Sequence, residues 1–325
     1  MAEVRTLYVD AAEDGVRLDR WFRRRWPHLS HIQINKLART GQIRVDGARA
    51  KAETRLAAGA QVRVPPLPDA PPPAAVDGLS DRDRKFVRGL VLYEDDEVLV
   101  LNKPAGLAVQ GGTKTLHHID RLLSAWGVGT QRPRLVHRLD RDTSGVLILG
   151  KSPAAAAKLA GAFARRRTQK TYWAIVVGTP KPAEGLIDLP LAKQGFGDRE
   201  MVAPVSPKDP AAEAAQTEFV TISRAAQTAA WLALRPITGR THQLRVHMLA
   251  IGHPILGDPK YFDTRSMELS GDLKLQLHAR RIVLPHPSRG ELALTAPISP
   301  EMRAGFERFG FEEHEAAADP FARRQ

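Results

Sequence analysis

One stretch decides how this chain can be divided. Pro65-Pro-Leu-Pro-Asp-Ala-Pro-Pro-Pro73 offers few backbone donors to a sheet and cannot sit inside a helix, so it reads as an extended, semi-rigid connector. A ligand for a proline-binding module is the lesser alternative. A segment that cannot join a core lies between cores. The 325 residues therefore divide into a small leading unit over 1–65, a linker over 66–84 and a larger unit over 85–305, in keeping with about 150 residues per domain. Residues 306–325, charged and alanine-rich, are expected to form a mobile tail.

The leading unit has its own logic. In Arg17-Leu-Asp-Arg-Trp-Phe22, Leu18, Trp21 and Phe22 fall at i, i+3 and i+4, the core face of a helix. Arg20, Arg23, Arg24 and Arg25 take the opposite face. Ser30 is placed to cap a second helix carrying Ile32, Ile34 and Leu37, which Gly41 ends. Ile43 to Gly47 reads as a strand entering a turn, and Gln61 to Val64 as a returning strand. Formal net charge is +12, and residues 1–66 hold 13 Lys/Arg against 7 Asp/Glu, which is +6 of it. Charge concentrated in a fifth of the chain points to a polyanionic partner. For any single arginine, a solvated helix face competes with that account.

Other classes are excluded by what the chain lacks. With no cysteine there are no disulfides, thiol nucleophiles or thiolate metal sites. No segment is long and apolar enough to span a bilayer and no leader is apparent, so a cytoplasmic location is expected. His117 and His118 are adjacent, which points them about 100° apart on a helix. His242 and His247 are five apart rather than the four of a zinc helix. No metal site is expected, and the loop from Ala105 to Gly112 is too irregular to cradle a nucleotide cofactor.

The larger unit opens with two apolar runs, Leu90 to Tyr93 and Val98 to Leu101, about an acidic turn, which reads as a hairpin. A helix is expected over Leu116 to Leu123 and an alanine-rich one over Pro153 to Arg167. The pattern of Lys170 to Val177 is that of a strand with Tyr172, Ala174 and Val176 on one face and Trp173, Ile175 and Val177 on the other. Residues 180–215 read as an irregular hairpin and surface loop, and Thr217 to Ser223 with Ala229 to Pro236 as a further hairpin. A helix with Leu244, Met248 and Ile251 buried carries Arg240, His242, Arg245 and His247 on its first turns, cations that oppose its dipole and suggest an anionic partner. Two strands, from His278 and from Glu291, close the unit.

At the centre lies Leu135-Val-His-Arg-Leu-Asp-Arg-Asp-Thr-Ser-Gly-Val-Leu-Ile-Leu149. Asp140 stands between guanidiniums, turn-forming residues follow, and Val146 to Leu149 is a short buried strand. By itself this is as well explained by an aspartate capping its own turn as by a carboxylate presented for chemistry.

The blocks taken together carry more than any one of them. The leading unit resembles the S4 RNA-binding domain through Arg17-Leu-Asp-Arg-Trp21, Gly41-Gln-Ile-Arg-Val-Asp-Gly47, Leu56 and Gly59. That resemblance makes Arg20, Arg23, Arg24, Lys36, Arg39 and Arg44 its RNA-contact candidates. Residues 85–305 resemble the RluA-type RNA pseudouridine synthases in four ordered blocks. These are Tyr93-Glu-Asp-Asp-Glu97 with Asn102-Lys-Pro-Ala-Gly106; His137-Arg-Leu-Asp-Arg-Asp-Thr-Ser-Gly145; Lys170-Thr-Tyr172; and Gly239-Arg-Thr-His-Gln-Leu-Arg-Val-His247 with Gly252-His-Pro-Ile-Leu-Gly-Asp258. The loop Val109-Gln-Gly-Gly-Thr113 departs from the His-Pro-Gly ending of many members and is closer to a subgroup acting on large-subunit ribosomal RNA.

The resemblance implies an α+β fold, with a mixed, mostly antiparallel central sheet flanked by helices behind a small S4-like domain. It implies isomerisation of uridine to pseudouridine in RNA, most simply large-subunit ribosomal RNA, without metal, cofactor or obligate protein partner. Asp140 becomes the carboxylate that attacks C1′ or takes the C2′ proton, Arg245 the base that pairs with it, and Tyr172 the ring that stacks on uracil. Arg138 becomes the wedge that fills the space of the flipped nucleotide. Two other readings stand beside it: a non-catalytic RNA-binding or ribosome-assembly factor, and a hydrolase using Asp140 and Asp142 as paired carboxylates.

Overall fold

Helix α1 (Leu18–Arg25) forms because Leu18, Trp21 and Phe22 share one face, and all three are fully buried. Helix α2 (His31–Arg39) starts where Ser30 accepts from the backbone of Gln33 while the Gln33 side chain accepts from Ser30, a reciprocal cap. Both pack against a sheet of β1 (Arg5–Tyr8), β2 (Arg44–Val45), β3 (Ala48–Arg49) and β4 (Gln61–Val64) in the order β1-β4-β2-β3. Val62 and Val64 of β4 close that core with Ile34, Ile43 and Leu56. Arg20, Arg23, Arg24, Lys36, Arg39 and Arg44 are all exposed. Arg25 departs from its expected place on the solvated face. It turns back over the Trp21 ring at 3.9 Å and pairs with Glu13 at 2.8 Å.

The structure is a computed structural model describing residues 4–27, 29–67, 78–111, 117–196 and 199–322. It divides into two compact units, Met1–Gly78 and Leu79–Gln325. Most of the expected proline-rich linker, residues 68–77, lies outside the described residues, as do Gly112 and Thr113 and the start of the helix expected from Leu116. The end of the expected linker is not linker. Ser80 caps α3 (Asp81–Arg88) in a reciprocal bond with Asp83, a Ser-x-x-Asp start signal readable in the sequence.

In the second unit the strands are β5 (Val91–Glu94), β6 (Val98–Lys103), β7 (Arg134–Leu135), β8 (Ser144–Gly150), β9 (Gln169–Val177), β10 (Glu184–Asp188), β11 (Leu191–Phe196), β12 (Arg199–Pro204), β13 (Gln216–Ala225), β14 (Ala229–Pro236), β15 (Leu277–Pro285) and β16 (Glu291–Thr295). The central sheet runs β10-β13-β14-β9-β15-β8-β6-β5, with β16 on β15 and β7 on β8. Its pairs are antiparallel except β15 with β8. Both faces are covered, so β8 is buried along its whole length. Leu99, Leu101, Leu147 and Leu149 point to one side, and Val98, Val100, Val146 and Ile148 to the other. On β9 the expected alternation holds, with Ala174 and Val176 in one core and Trp173, Ile175 and Val177 in another.

The remaining helices are α4 (Ile119–Leu122), α5 (Pro153–Ala164), α6 (Gln243–Ala250), α7 (Thr264–Ser270) and α8 (Pro300–Phe309). The segment over 180–215 is more regular than expected. It supplies edge strand β10 and the β11–β12 hairpin, whose Leu191 and Val202 are buried with Val246 and Tyr261. The expected tail from 306 is also structured. Its first residues complete α8, and Phe306 and Phe311 are buried against Trp173 and Trp231. Each buried phenylalanine is worth about 2 to 3 kcal/mol, which holds the segment on the sheet despite its charged composition.

Candidate active site

The loop that presents Asp140 is held at both ends. On one side the His137 ring accepts the Ile148 amide at 2.9 Å and stacks on Phe163. Burial, with Lys170 adding to it, pulls the His137 pKa down to about 3, as an imidazole that accepts rather than donates requires. On the other side Lys103 is wholly buried, and its ammonium donates to the carbonyls of Pro104, Leu107 and Arg141, each at 2.9 Å. Burial lowers Lys103 to about 8, against the raising influence of Asp142 and Asp140. Between the two anchors Asp140 closes a turn, its carbonyl accepting from Thr143, and its side chain remains about a third exposed.

Gly145 explains why the turn must end in glycine. Its φ is +110° at the parallel pairing of β8 with β15, and an added Cβ would lie 2.2 Å from the Ala279 carbonyl oxygen. Ser144 beside it bonds to His278 on β15 at 2.8 Å. The Asp142-Thr-Ser-Gly145 half of the motif is thus architecture, and Asp140 is what that architecture displays.

A second wall comes from β9. Lys170 and Tyr172 lie two apart on one face and both line the cleft. Burial, then the Asp140 charge, pushes the Tyr172 hydroxyl well above the ordinary phenol range, so it stays protonated through neutral pH.

The third wall is the turn into α6. Gln243 accepts from Thr238 and the Arg240 amide and donates to Gln216 and Thr217, tying the turn to β13. Arg240 itself precedes the helix, so it is not among the cations of the first helical turn. Arg245 is buried, and its guanidinium grips Asp258 with two bonds of 2.6 and 2.7 Å. Its third nitrogen stands 3.5 Å from Asp140 Oδ2. By distance Asp258 is the structural partner and Asp140 the looser one. Asp258 is fixed in turn by the amides of Lys260 and Tyr261. His242, at the head of α6, brings its Nε2 to 3.9 Å from the same Asp140 oxygen.

These walls enclose a cleft of about 590 Å³ that holds Asp140, Tyr172 and Arg245 together. Its other charged lining residues are Arg138, Arg166, Lys170 and Arg240, so among the described residues of the lining Asp140 is the one carboxylate among cations. Arg138 is exposed and reaches Gln110 at 3.3 Å. The arrangement suits an anionic, phosphate-bearing ligand. Among the described residues no three His, Asp or Glu side chains are grouped to hold a metal. His118 instead caps α4 through its ring.

Sequence reasoning missed Asp258, Lys103 and Lys170 as members of this site. All three stand in the motif blocks, but only the folded chain shows whom they touch.

Comparison with known proteins bears on the family of the chain. A family model described as RNA pseudouridylate synthase matches residues 97–250. The chain is 34% identical over 316 residues to ribosomal large subunit pseudouridine synthase C of Vibrio parahaemolyticus, spanning 93% of this chain and 96% of that protein. It is 35% identical over 303 residues to the protein of the same name from Escherichia coli, spanning 91% and 93%. Among solved structures, human RNA pseudouridylate synthase domain containing 4 is similar with a TM-score of 0.59 at 27% identity, over 72% of this chain and 99% of that one.

Proposed function

The chain belongs to the RNA pseudouridylate synthase family and is an RNA pseudouridine synthase; from that premise we propose that it isomerises particular uridines of large-subunit ribosomal RNA, with Asp140 as the reacting carboxylate. The observation that carries the residue assignment is the isolation of Asp140 as the one acidic group described in a cationic cleft, beside Tyr172 and Arg245. The relatives' names support the choice of RNA. A bacterial ribosomal substrate puts the work in the cytoplasm.

The reaction breaks the C1′–N1 bond, turns the uracil and joins C5 to C1′. The C5 proton leaves and N1 gains one, so the product is an isomer and no redox partner is required. Breaking a glycosidic bond calls for a carboxylate. Asp140 supplies it, either attacking C1′ or taking the C2′ proton. Arg245, gripped by Asp258, holds one nitrogen toward Asp140 Oδ2 and so orients the carboxylate. Tyr172 stacks on the uracil. With its hydroxyl held above the usual phenol range, it acts as a donor or relay rather than as a free phenolate base. The target must leave its stack to reach Asp140, and Arg138, exposed at the mouth, is the wedge that takes its place. The first unit, S4-like in its motifs, contributes RNA affinity through its exposed arginines and lysine.

Replacing Asp140 with Asn tests the assignment. The variant should form no pseudouridine in large-subunit RNA while binding that RNA with unchanged affinity. Turnover at the wild-type rate would remove Asp140 from the chemistry.

A further inference from the structure

His242 stands in a costly conformation. Its backbone is left-handed, with φ 54° and ψ 17°, a region that glycine and asparagine enter more readily. Its side chain does not cap α6. The ring instead lies between two oxygens, with Nδ1 2.8 Å from the Tyr261 hydroxyl and Nε2 3.9 Å from Asp140 Oδ2.

The tautomer follows from the hydroxyl. Tyr261 is buried, and its oxygen accepts the Val202 amide at 3.2 Å. An amide can only donate, so the phenolic proton is free to go to His242 Nδ1. A neutral His242 then carries its own proton on Nε2, the nitrogen that faces Asp140. Burial favours the neutral ring, lowering its pKa, while Asp140 works against that. The charged and titratable groups around the ring are Asp140, Arg245, Asp258, Lys260 and Tyr261.

We propose that Tyr261 and His242 form a relay that positions Asp140: Tyr261 fixes the imidazole as its Nε2–H tautomer, and that N–H holds Asp140 Oδ2 beside Arg245. His242 and Arg245 both approach Asp140 at Oδ2, which leaves Oδ1 to meet the ribose. The 3.9 Å gap is too long for a hydrogen bond and closes when the nucleotide fills the cleft, as contacts of unliganded sites do. His242 is a positioning residue here. The proposal rests on the reading of Asp140 as the reacting carboxylate.

Three variants of the full chain test it by single-turnover and steady-state kinetics on large-subunit RNA. His242→Asn, which suits the left-handed backbone but falls short of Asp140, should lower kcat about 100-fold, the cost of a misplaced reacting group, with KM within about threefold. His242→Gln, whose amide nitrogen can reach the position of Nε2, should recover most of that loss. Tyr261→Phe should lower kcat at neutral pH because the imidazole is then free to place its proton on either nitrogen. Its kcat relative to wild type should rise as pH falls below the ordinary imidazole value of about 6.5, with burial moving that rise lower still, since an imidazolium carries both protons. A merely structural loss at Tyr261 would not track pH. A flat Tyr261→Phe ratio, or wild-type kcat in His242→Asn, overturns the relay, and the first of these decides if the His242 variants do not fold. An Asp140→Asn control separates the two readings. Activity there overturns the role of Asp140 itself, whereas an inactive Asp140→Asn beside unimpaired His242 and Tyr261 variants overturns the relay alone.

Discussion

Asp258 shows how far a residue can matter without reaching the reacting atoms. Its carboxylate is fully buried and takes both strong bonds from Arg245, and removing one partner of a buried pair leaves the other charge uncompensated. Breaking such a pair costs about 3 to 5 kcal/mol. Asp258→Ala should therefore lower unfolding free energy by that order in chemical denaturation. It should also lower kcat more than it raises KM for RNA, because Arg245 loses the grip that aims it at Asp140. An unchanged denaturation midpoint would mean that the pair carries no such weight. At this scale the sequence was generous with identities and silent on pairings. Asp140, Tyr172 and Arg245 stood in legible motifs, yet nothing along the chain says that Arg245 is nearer to Asp258 than to Asp140. A guanidinium has several donors, and which carboxylates meet them depends on how α6 and the loop after it pack.

Among elements, the loop before β8 is the one on which the site depends, and two residues outside its tip set its shape. Lys103 crosses from β6 to three backbone carbonyls while buried. Its folded pKa of about 8 lies below the unfolded value of 10.5. Between those values the unfolded chain holds the extra proton, so stability rises with pH through that window. The full difference is about 3 kcal/mol. Wild type should gain stability relative to Lys103→Met as pH goes from about 8 to 10.5, and parallel curves from the two proteins would refute it. Gly145 is the other constraint. Gly145→Ala would press a Cβ into the Ala279 carbonyl and force a positive φ on alanine. A loss of more than about 3 kcal/mol is expected, in the range of overpacking combined with backbone strain, read as a lowered melting temperature. The β5–β6 and β13–β14 hairpins, the alternation on β9 and the Ser30 cap of α2 were legible in period and punctuation. Edge strand β10 and the aromatic anchors of α8 were not, because both sit in stretches whose composition is polar and whose burial depends on distant partners.

Over the whole molecule, charge and chemistry divide between the two units. Arg20, Arg23, Arg24, Lys36, Arg39 and Arg44 lie exposed in the first, and the cleft with Asp140 lies in the second. If the first unit binds phosphates, changing those six residues to glutamine should weaken RNA binding and flatten its dependence on salt, by about 0.7 to 0.9 in the log–log slope for each phosphate no longer neutralised. An identical slope would remove the first unit from RNA binding. No helix among the described residues is long and apolar enough to cross a membrane. The sequence by itself determined the excess of positive charge, several of the core strands and helices, and the motif residues that bear the family likeness. Each of these is a property of local composition or of spacing along the chain. Only the tertiary structure decided that Lys103 and His137 pin the loop that displays Asp140, and that Asp258 and Tyr261 stand behind Arg245 and His242. Those relations join residues that are mostly far apart along the chain. They exist once the fold has brought the loop before β8, β9 and α6 to one cleft, since burial and hydrogen-bond partners belong to the folded chain and not to the order of its letters.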